Sequence, residues 1–471
     1  MSRLRLGLQR DWLTSVDSAM IPMSACTRRP TFDRLSAPWT NQAVGRRGSR
    51  AKTAEVAVRV LEEDIVIVGA GVVGLTSALT LQRLGRRVVV LDPSPPGSGA
   101  SFGNAGTIAD FAIAPVGSPA LLKQLPSLLF DRQGPFSIRQ GAMAALLPWL
   151  AQFAWQSLPA HSANNMRAIA ALTLDAGARW QGLAADLEAG HLIQNKGCLY
   201  VFNNEARYQA GRQDMRLRQA LGVNIELLNP GELAQLEPHL PQVEGGGAFF
   251  PDALSVSDPG HLVGLIAARA EADGVQIVPE SVVRLSAQKR QVVLQLGNGQ
   301  RVTARQVVIA AGAHSKFLAD QVGDLVPLET ERGYHLEYDG ESDRVRRPVC
   351  AAESGFYMSP MAGRLRVAGT VELGGVKAPP TPDRLAFLSH RMRDIFPDLK
   401  AASRSWLGFR PSMPDSRPVI SESRVGRQII YAFGHGHIGL TLAPMTASLV
   451  AALVQSTAPE VPLTDYRVNR F

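Results

Sequence analysis

Three glycines and an aspartate near the start of the chain have the types and spacing of a dinucleotide-binding site. Gly69, Gly71 and Gly74 form a G-x-G-x-x-G sequence, and Asp92 follows about twenty residues later. Glycine at these positions permits a tight turn, close approach of a pyrophosphate to the backbone, and close packing of a helix on a strand. The Asp92 carboxylate can accept hydrogen bonds from both hydroxyls of a ribose. The spacing therefore predicts dinucleotide binding.

Elements that could position these four residues are evident in the same stretch. Residues 64–68 are an apolar, β-branched run that predicts a buried parallel strand, a helical pattern covers residues 75–84, and a second strand over residues 86–91 ends at Asp92. This order of elements places phosphates at the positive end of the helix. The wider pattern supports a dinucleotide site more strongly than the glycines alone.

The length and charge of the chain limit the classes of function. Its 471 residues, 45% hydrophobic and 19% charged, suffice for two domains and a large buried core. The formal net charge is +8, but residues 1–60 contain eleven Arg and Lys against four Asp and Glu, a net of +7. Because the rest of the chain carries only about +1, we expect no nucleic-acid partner.

Residues 1–60 lack a convincing amphipathic period and are rich in Arg, Ser and Thr. We expect a basic, disordered extension without a function of its own. An organelle transit peptide, or sequence upstream of a true start at Met20 or Met23, are the alternatives.

The three cysteines, Cys26, Cys198 and Cys350, lie far apart and have no metal-ligand spacing. They predict buried free thiols and no metal site. No secretory signal and no apolar run of membrane-spanning length is evident, so we expect a reducing, cytoplasmic location.

Strands and helices alternate along the rest of the chain. Residues 111–240 look mostly helical. The pattern predicts strands over 197–202, 276–278, 307–310 and 429–433, a hairpin over 291–302, strand-rich segments over 329–338 and 355–367, and helices over 204–221, 259–274 and 440–454. Because buried strands return late in the chain, we expect the nucleotide domain to be assembled from separated segments.

Residues 142–158 are the most apolar part of the helical region and include Trp149 and Trp155. Pro148 and two glutamines count against a membrane span. We expect a helix packed in the core, and contact with a membrane surface is the alternative.

Nicotinamide and flavin dinucleotides share the opening motif, and two further segments favour flavin. Residues 93–108 form a loop too long for a simple connection, and its glycines permit close approach to a ligand. Residues 434–441, GHGHIGLT, lead into a helix whose free amides can stabilise negative charge on a reduced ring. No protein nucleophile or catalytic triad is evident, which suits a cofactor that carries the redox chemistry itself.

Five motifs follow one another along the chain. They are VIVGAGVVG at 66–74, the S-x-x-N-A-G of 101–106, VVIAAGAHS at 307–315, GFRPSMPDSRPVI at 408–420 and YAFGHGHIGLTLAP at 431–444. In this order they resemble the FAD-dependent glycine and D-amino-acid oxidase family, most closely its bacterial D-amino-acid dehydrogenases. The resemblance runs from about residue 64 to the C-terminus, and the last two motifs are the specific ones.

The resemblance implies non-covalently bound FAD and identifies the residues that would contact it. They are Gly69, Gly71, Gly74, Asp92, Ser101, Asn104, Gly106, Val282, Gly312, Gly436, Ile438, Gly439, Leu440 and Thr441. Family members often have glutamate where this chain has Asp92. Aspartate keeps the acceptor but shortens its reach.

The resemblance also implies an α/β fold, with a Rossmann-type FAD-binding domain interleaved with an α+β substrate domain. We expect FAD-binding segments over residues 61–112, 245–325 and 402–471. Residues 113–244 and 326–401 would form the substrate domain, the second of them as its sheet.

Four side chains are candidates for substrate contact. Arg410, in GFRP, could hold a carboxylate through its planar guanidinium, as the matching arginine does in similar oxidases, or be a structural arginine. His437 could bond the carboxylate or a ring substituent, or pack beside its turn. Tyr334 and Tyr357 fall on strands that line the pocket in similar enzymes, where each could cover the substrate or belong to the core.

The implied reaction is oxidative deamination of a D-amino acid to the 2-oxo acid and ammonia, by hydride transfer to FAD. A D-hydroxyproline or another cyclic imino acid is the nearest alternative substrate, and an N-methyl amino acid is a weaker one. Two other classes are a flavin domain of a tRNA-modifying enzyme and a non-catalytic flavin-binding subunit. The near-neutral body counts against the first, and Arg410 counts against the second.

The partners that follow from this reaction are small molecules. We expect the D-amino or imino acid itself and an electron acceptor, which is a quinone or another carrier, or oxygen. Peripheral contact with the inner face of a membrane is an additional expectation, from the apolar residues 142–158.

Overall fold

The apolar run at residues 64–68 forms the centre of a large sheet, as the sequence predicts. The structure, a computed structural model, describes residues 60–122, 134 and 136–471. Strand β1 spans Val60–Val68, and Ile65, Val66 and Ile67 within it are almost fully buried. It has parallel neighbours on both sides, which accounts for a continuous apolar run rather than an alternating one.

The first sheet combines a parallel core with an antiparallel extension. Its other strands are β2 (Val88–Leu91), β10 (Gln276–Val278), β11 (Val282–Ala287), β12 (Val292–Leu296), β13 (Arg301–Ile309), β19 (Val419–Ser423) and β20 (Gly426–Phe433). The parallel strands lie in the order β10, β2, β1, β13, β20. β11 and β12 extend β13 on its antiparallel side, and β19 pairs antiparallel with β20.

One expectation about this sheet is wrong. The sequence predicts separate strands at residues 300–302 and 307–310, but β13 is continuous. Its first half pairs with the hairpin strand β12 and its second half with β20, while β1 pairs along its whole length. A strand that changes partner halfway looks like two strands in the sequence.

The second sheet is mostly antiparallel and comes from the middle of the chain. Its strands are β4 (Phe136–Ile138), β6 (Cys198–Phe202), β7 (Glu226–Leu228), β8 (Gly246–Phe250), β14 (Glu329–Asp339), β15 (Val349–Ala351), β16 (Phe356–Met361), β17 (Arg364–Leu373) and β18 (Arg404–Ser412). They lie in the order β18, β14, β17, β16, β15, β6, β8, β7, with β4 beside β17. A small third sheet contains β3 (Thr107–Ile108), β5 (Ile193–Gln194) and β9 (Leu254–Val256).

Ten α-helices of the described residues pack around these sheets. They are α1 (Val72–Arg83), α2 (Met143–Gln156), α3 (Pro159–Thr173), α4 (Ala176–Asp186), α5 (Glu205–Gln219), α6 (Pro230–Leu236), α7 (Pro259–Ala272), α8 (Ser315–Gln321), α9 (Pro382–Ile395) and α10 (Gly439–Gln455). The side chains of Asn204 and Asp258 cap the first turns of α5 and α7. Residues 111–240 are mainly helical as expected, although β4 to β7 also lie there.

The α/β fold class is confirmed. The first sheet takes its strands from the start, middle and end of the chain, and the strands of the second sheet lie between them. The five domain segments proposed from the sequence stay a prediction.

The apolar residues 142–158 form α2, which has two different faces. Leu146, Trp149 and Phe153 are buried, whereas Leu147 and Trp155 are more than half exposed. The expectation that this helix packs in the core is therefore correct for one of its faces only. Within the described ranges, no helix combines the length and apolar character that crossing a membrane requires.

Cys198 and Cys350 are buried free thiols, as predicted, and burial raises the pKa of both. Cys26, and the extension expected over residues 1–60 as far as residue 59, lie outside the described residues.

Candidate active site

The glycine turn between β1 and α1 leaves room for a ligand. A side chain at Gly69, whose φ is +115°, would collide with the Ala310 carbonyl, and one at Gly74 would collide with the Gly69 carbonyl. Gly71 is different, because Ser101 Oγ at 3.5 Å is the only described atom near a side chain built there. α1 begins after Gly71, which has no side chain to cap it. Ser101 Oγ accepts the Val72 amide, and the amides that follow it in the first turn are available to an anion.

Asp92 follows β2 and contacts this turn directly. Its Oδ2 accepts the Ala70 amide at 2.8 Å, and its Oδ1 accepts the Ser94 amide at 2.9 Å. An ionised carboxylate offers about four acceptor positions, so each oxygen keeps one for a ribose hydroxyl. The shorter aspartate therefore keeps the capacity for its expected role.

The loop after β2 is fixed by its own polar side chains. Ser101 Oγ accepts the Val72 amide at 3.0 Å, which joins the loop to the first turn of α1. Asn104 Oδ1 accepts the Gly106 amide at 2.8 Å, and Gly106 has a φ of +78° that favours glycine. Ser101 thus contacts the glycine turn, and Asn104 shapes the backbone of its own loop.

Arg366, on β17, holds the same loop from the second sheet. Its Nη1 donates to the carbonyls of Phe102 at 3.0 Å and Asn104 at 2.7 Å, and its Nε and Nη2 donate to Glu337. Burial acts to raise the pKa of Glu337, but Arg366 and two further arginines outweigh it and lower this pKa to about 2. The loop is therefore anchored to a pair that stays charged in any ordinary buffer.

The C-terminal glycine turn lies at the start of α10. Gly436 has a φ of +55° with open space where a side chain would be, and its amide donates to the Pro411 carbonyl at 2.7 Å. Ile438 precedes the first helical residue, Gly439, and the helix has neither a side-chain cap nor an acidic residue in its first turn. The positive end of α10 therefore faces this turn without a protein counter-charge from the helix itself.

Two further contacts join α10 to the rest of the site. Thr441 Oγ1 accepts the Ala109 amide at 3.0 Å, and the Leu440 carbonyl accepts the Trp180 indole N–H at 2.9 Å. They link the helix start to the segment that follows the glycine-rich loop.

The remaining features fit a large bound dinucleotide. A side chain at Gly312, which has a φ of +53°, would meet no described atom within 4 Å beyond its chain neighbours. The Thr107 hydroxyl is buried without a hydrogen-bond partner in the described chain. Val282 begins β11 at the side of the first sheet. Uncapped helix ends, open glycines and an unsatisfied hydroxyl suit the FAD implied by the resemblance.

Arg410 lies where β18 pairs with β14. Its register partner is Glu331, and its guanidinium lies over Gly333, where any side chain would overlap it. Burial lowers the pKa of Arg410, although Glu331 acts in the opposite direction. The described residues give the guanidinium one hydrogen bond, from Nη1 to the Thr370 carbonyl at 3.1 Å, and no ion pair. Most of its five donors are therefore available to a carboxylate.

The glycine turn brings His437 to the same place. The Gly436 amide bonds to Pro411, the residue that follows Arg410, which joins the turn to β18. His437 itself is exposed. Partial desolvation of its ring and the charge of Arg410 lower its pKa, while Glu331 opposes them. The structure thus places together two candidates that lie 27 positions apart in the sequence.

Tyr334 does not join this group. Its phenol donates to Glu372 at 2.7 Å and accepts the Thr381 amide at 3.1 Å, and its ring is buried among apolar side chains. Because neighbouring residues of a strand face opposite ways, Tyr334 lies on the other side of β14 from Gly333. Its surroundings are those of a core tyrosine rather than a substrate contact.

Tyr357 lies on the face that carries Arg410. The register of β14, β17 and β16 places it in one row with His335, which alternates with Gly333 on that face. Its hydroxyl is 2.9 Å from the Tyr200 hydroxyl, and burial raises its pKa well above the ordinary value. Tyr357 is therefore a neutral, half-buried phenol on the correct side of the sheet.

The sequence did not identify three residues that lie around Arg410: Glu331, Gly333 and Thr370. Gly333 could have been predicted, because a glycine within the strand pattern ERGYHLEY indicates close approach of another group. Thr370 gave none. Its position depends on an irregular pairing of β14 with β17 that exists only in the folded sheet.

Comparisons with known proteins cover nearly the whole described chain. A family model described as FAD dependent oxidoreductase matches residues 64–453. The D-amino-acid oxidase of Bradyrhizobium diazoefficiens is 35% identical over 417 residues, which cover 86% of this chain and 98% of that protein. The D-amino acid dehydrogenase of Rhizobium johnstonii is 28% identical, covering 86% and 99%. The crystal structure of glycine oxidase from Geobacillus kaustophilus shares the fold, with a TM-score of 0.70, 24% identity and coverage of 88% and 100%.

Proposed function

Because this chain belongs to the family of FAD-dependent oxidoreductases, we propose that it oxidises a D-amino acid to the 2-oxo acid and ammonia. The relative named D-amino-acid oxidase, matched over almost its full length, supports this substrate class. The structural observation that supports it is Arg410, a half-buried guanidinium to which the described residues give one hydrogen bond, from a carbonyl acceptor. An α-amino acid supplies the carboxylate that this cation lacks.

The glycine turn after β1, Asp92, the loop over residues 101–106 and the start of α10 are the parts of the chain that would hold FAD. When bound, FAD supplies the two-electron chemistry by accepting hydride from the substrate Cα. The resulting imine is hydrolysed by water to the 2-oxo acid and ammonia.

The protein groups in this proposal bind and orient the substrate. Arg410 holds the carboxylate through two parallel N–H donors, which fixes the position of Cα. His437, beside it, donates one hydrogen bond to the same carboxylate. Tyr357 and Tyr200 form a wall on the same face of the second sheet. The substrate amine must be neutral to lose hydride, so turnover increases with pH until the amine is deprotonated.

A dye-reduction screen tests the substrate class. Purified protein is assayed with D-amino acids, their L-enantiomers, D-hydroxyproline and N-methyl amino acids. Reduction by D-amino acids alone supports the proposal, reduction by D-hydroxyproline alone replaces it with a cyclic imino acid, and reduction by L-enantiomers alone overturns it. The same reactions with and without oxygen assign the acceptor, an oxygen molecule or a carrier such as a quinone.

We further propose that the exposed face of α2 contacts a membrane surface. Leu147 and Trp155 on α2 are exposed, as is Leu158 just after it, and no Asp, Glu, Lys or Arg occurs between Arg139 and Arg167. Such a face suits a helix lying in the interface of a bilayer, where a quinone acceptor would also be reached. Co-sedimentation with liposomes tests this contact. Leu147→Asp combined with Trp155→Asp abolishes binding, and binding that survives both changes contradicts the proposal.

A further inference from the structure

Thr370 has an unusual backbone at the centre of the candidate site. Its φ is +59°, in the left-handed region, where a β-branched residue is a genuine outlier. Threonine pays for this conformation with steric strain, and glycine or asparagine would adopt it more easily. Strain of this kind persists where the surrounding structure requires it, and it concentrates at functional sites.

The sheet itself explains how the strain is imposed. The pairing of β14 with β17 shifts between Arg332 and Tyr334, so that Thr370 and Val371 lie opposite Gly333 alone. This is a β-bulge, which turns the backbone and redirects neighbouring groups. The bulge lies opposite the glycine over which the guanidinium of Arg410 rests.

The redirected backbone reaches that guanidinium. The Thr370 carbonyl accepts Arg410 Nη1 at 3.1 Å, the one hydrogen bond that the described residues give this side chain. The bulge therefore sets the direction in which the remaining donors of Arg410 point.

The side chain of Thr370 carries a second unexplained feature. Thr370 is 2% exposed, yet its hydroxyl has no hydrogen-bond partner anywhere in the described ranges. A buried, unsatisfied hydroxyl destabilises the folded protein, and valine of nearly the same shape would avoid this. The hydroxyl belongs to the residue whose own carbonyl holds the guanidinium, so a carboxylate bound by Arg410 is the group best placed to satisfy it.

We propose that Thr370 is a substrate-positioning residue whose carbonyl orients Arg410 and whose hydroxyl hydrogen-bonds the carboxylate that Arg410 binds. This inference rests on the proposed function, because it requires a carboxylate substrate. It assigns a role to a residue outside the recognised motifs, and it explains why strain and an unsatisfied hydroxyl occur together at one position.

Thr370→Val separates this role from a structural one, because valine keeps the β-branch, the strain and the carbonyl but lacks the hydroxyl. We expect KM for the best D-amino acid of the screen to rise at least fivefold with little change in kcat. The Kd of propanoate, a carboxylate without an amino group, measured from the flavin absorbance, rises by a similar factor. Flavin content is unchanged and Tm is not lowered.

Ser359→Ala is the matched control. Ser359 is also buried in the second sheet with an unsatisfied hydroxyl, on β16 rather than beside Arg410. It should behave like Thr370→Val in Tm but leave KM and the propanoate Kd unchanged. Unchanged KM and Kd in Thr370→Val, or changes that Ser359→Ala reproduces, overturn the inference, and so does a Thr370→Val protein that loses flavin or stability.

Arg410→Lys, measured in parallel, distinguishes two kinds of failure. If it raises KM while Thr370→Val does not, only the role of Thr370 is wrong. If neither variant affects KM or the propanoate Kd, the carboxylate site at Arg410 is wrong, and the inference about Thr370 falls with it.

Discussion

At the scale of single residues, Arg410 carries the strongest physical argument. Desolvating a guanidinium without a direct ion pair costs free energy, and the carbonyl of Thr370 and the nearby charge of Glu331 compensate only part of that cost. Space for the guanidinium is provided by Gly333, the one residue that leaves this part of β14 open. Such an arrangement is expected where a ligand completes the charge pair.

Arg410→Ala should therefore lower kcat/KM by roughly tenfold to a hundredfold, since a charge-assisted hydrogen bond contributes about 1.5–3 kcal/mol. Arg410→Lys should recover only part of the loss, because a point charge cannot replace the planar fork. Steady-state kinetics with flavin content measured alongside checks this. Wild-type kcat/KM in Arg410→Ala, or a loss that follows flavin content, would show that the arginine is structural.

Asp110, two residues after β3, provides a test of the electrostatics. Burial and the charge of Asp252 raise the pKa of Asp110 to about 6, although a backbone hydrogen bond from Phe111 opposes them. A carboxyl whose pKa is raised by folding destabilises the folded state as it ionises. The penalty is absent well below pH 4, grows between about pH 4 and 6, and is constant above that range.

Asp110→Asn should consequently be more stable than wild type at pH 8, by up to about 3 kcal/mol for a shift of roughly two units. The difference should shrink as the pH falls to 4, where the carboxyl is neutral in the folded protein and only partly ionised in the unfolded one. Thermal unfolding at pH 4, 6 and 8 measures the difference. A variant that is less stable at pH 8 would mean that the ionised carboxylate has a partner that stabilises it.

At the scale of elements, the glycine-rich loop belongs as much to the second sheet as to the first. Its own side chains bond to the start of α1, while Arg366 reaches across from β17 to two of its carbonyls. Glu337 fixes Arg366 and also accepts hydrogen bonds from Arg364 and Arg404. The shape of the loop that would surround FAD thus depends on a buried ion pair of the other sheet.

Arg366→Met should raise the Kd for FAD by about tenfold to a hundredfold, because it removes both hydrogen bonds to the loop and an ion-pair partner of Glu337. Flavin fluorescence on titration of the apoprotein measures this. Arg404→Met is the control, since Arg404 bonds the same Glu337 but is half exposed and touches no loop carbonyl. Equal FAD affinities in the two variants would show that Arg366 does not anchor the loop.

At the scale of the whole molecule, the family match and the first strand of the fold begin within a few residues of each other. The match begins at residue 64, and β1 begins at Val60 because its first residues pair with those of β13. From the sequence alone, this strand is predicted to begin four residues later, at residue 64. A deletion must therefore end before residue 60 to leave the first sheet intact.

A variant that lacks residues 1–56 should keep its flavin content and turnover. One that lacks residues 1–66 should lose both, since it removes most of the central strand of the first sheet. Absorbance at flavin wavelengths and the dye assay compare the two. Loss of flavin in the shorter deletion would show that the first 56 residues contribute to the fold. If the full-length protein binds RNA and the shorter deletion loses only that binding, a nucleic-acid partner becomes the better interpretation.

The sequence by itself determined the features that depend on neighbours along the chain. The glycine turn, the apolar strands, and the helices predicted from residues 204 and 259 all follow from local spacing and residue type. Arg410 and the glycine turn before α10 were identified through a family resemblance that the comparisons bear out at the level of the family.

Tertiary structure alone decided which side chains share a face. Tyr334 and Tyr357 looked equivalent in the sequence, but the register of the second sheet places the first in the core and the second on the face of Arg410. Thr370 and Arg366 acquire their contacts in the same way, one through a bulge and the other across two sheets. Register and bulges arise from pairing between distant strands, and a one-residue shift reverses every side chain, so the local pattern does not contain this information.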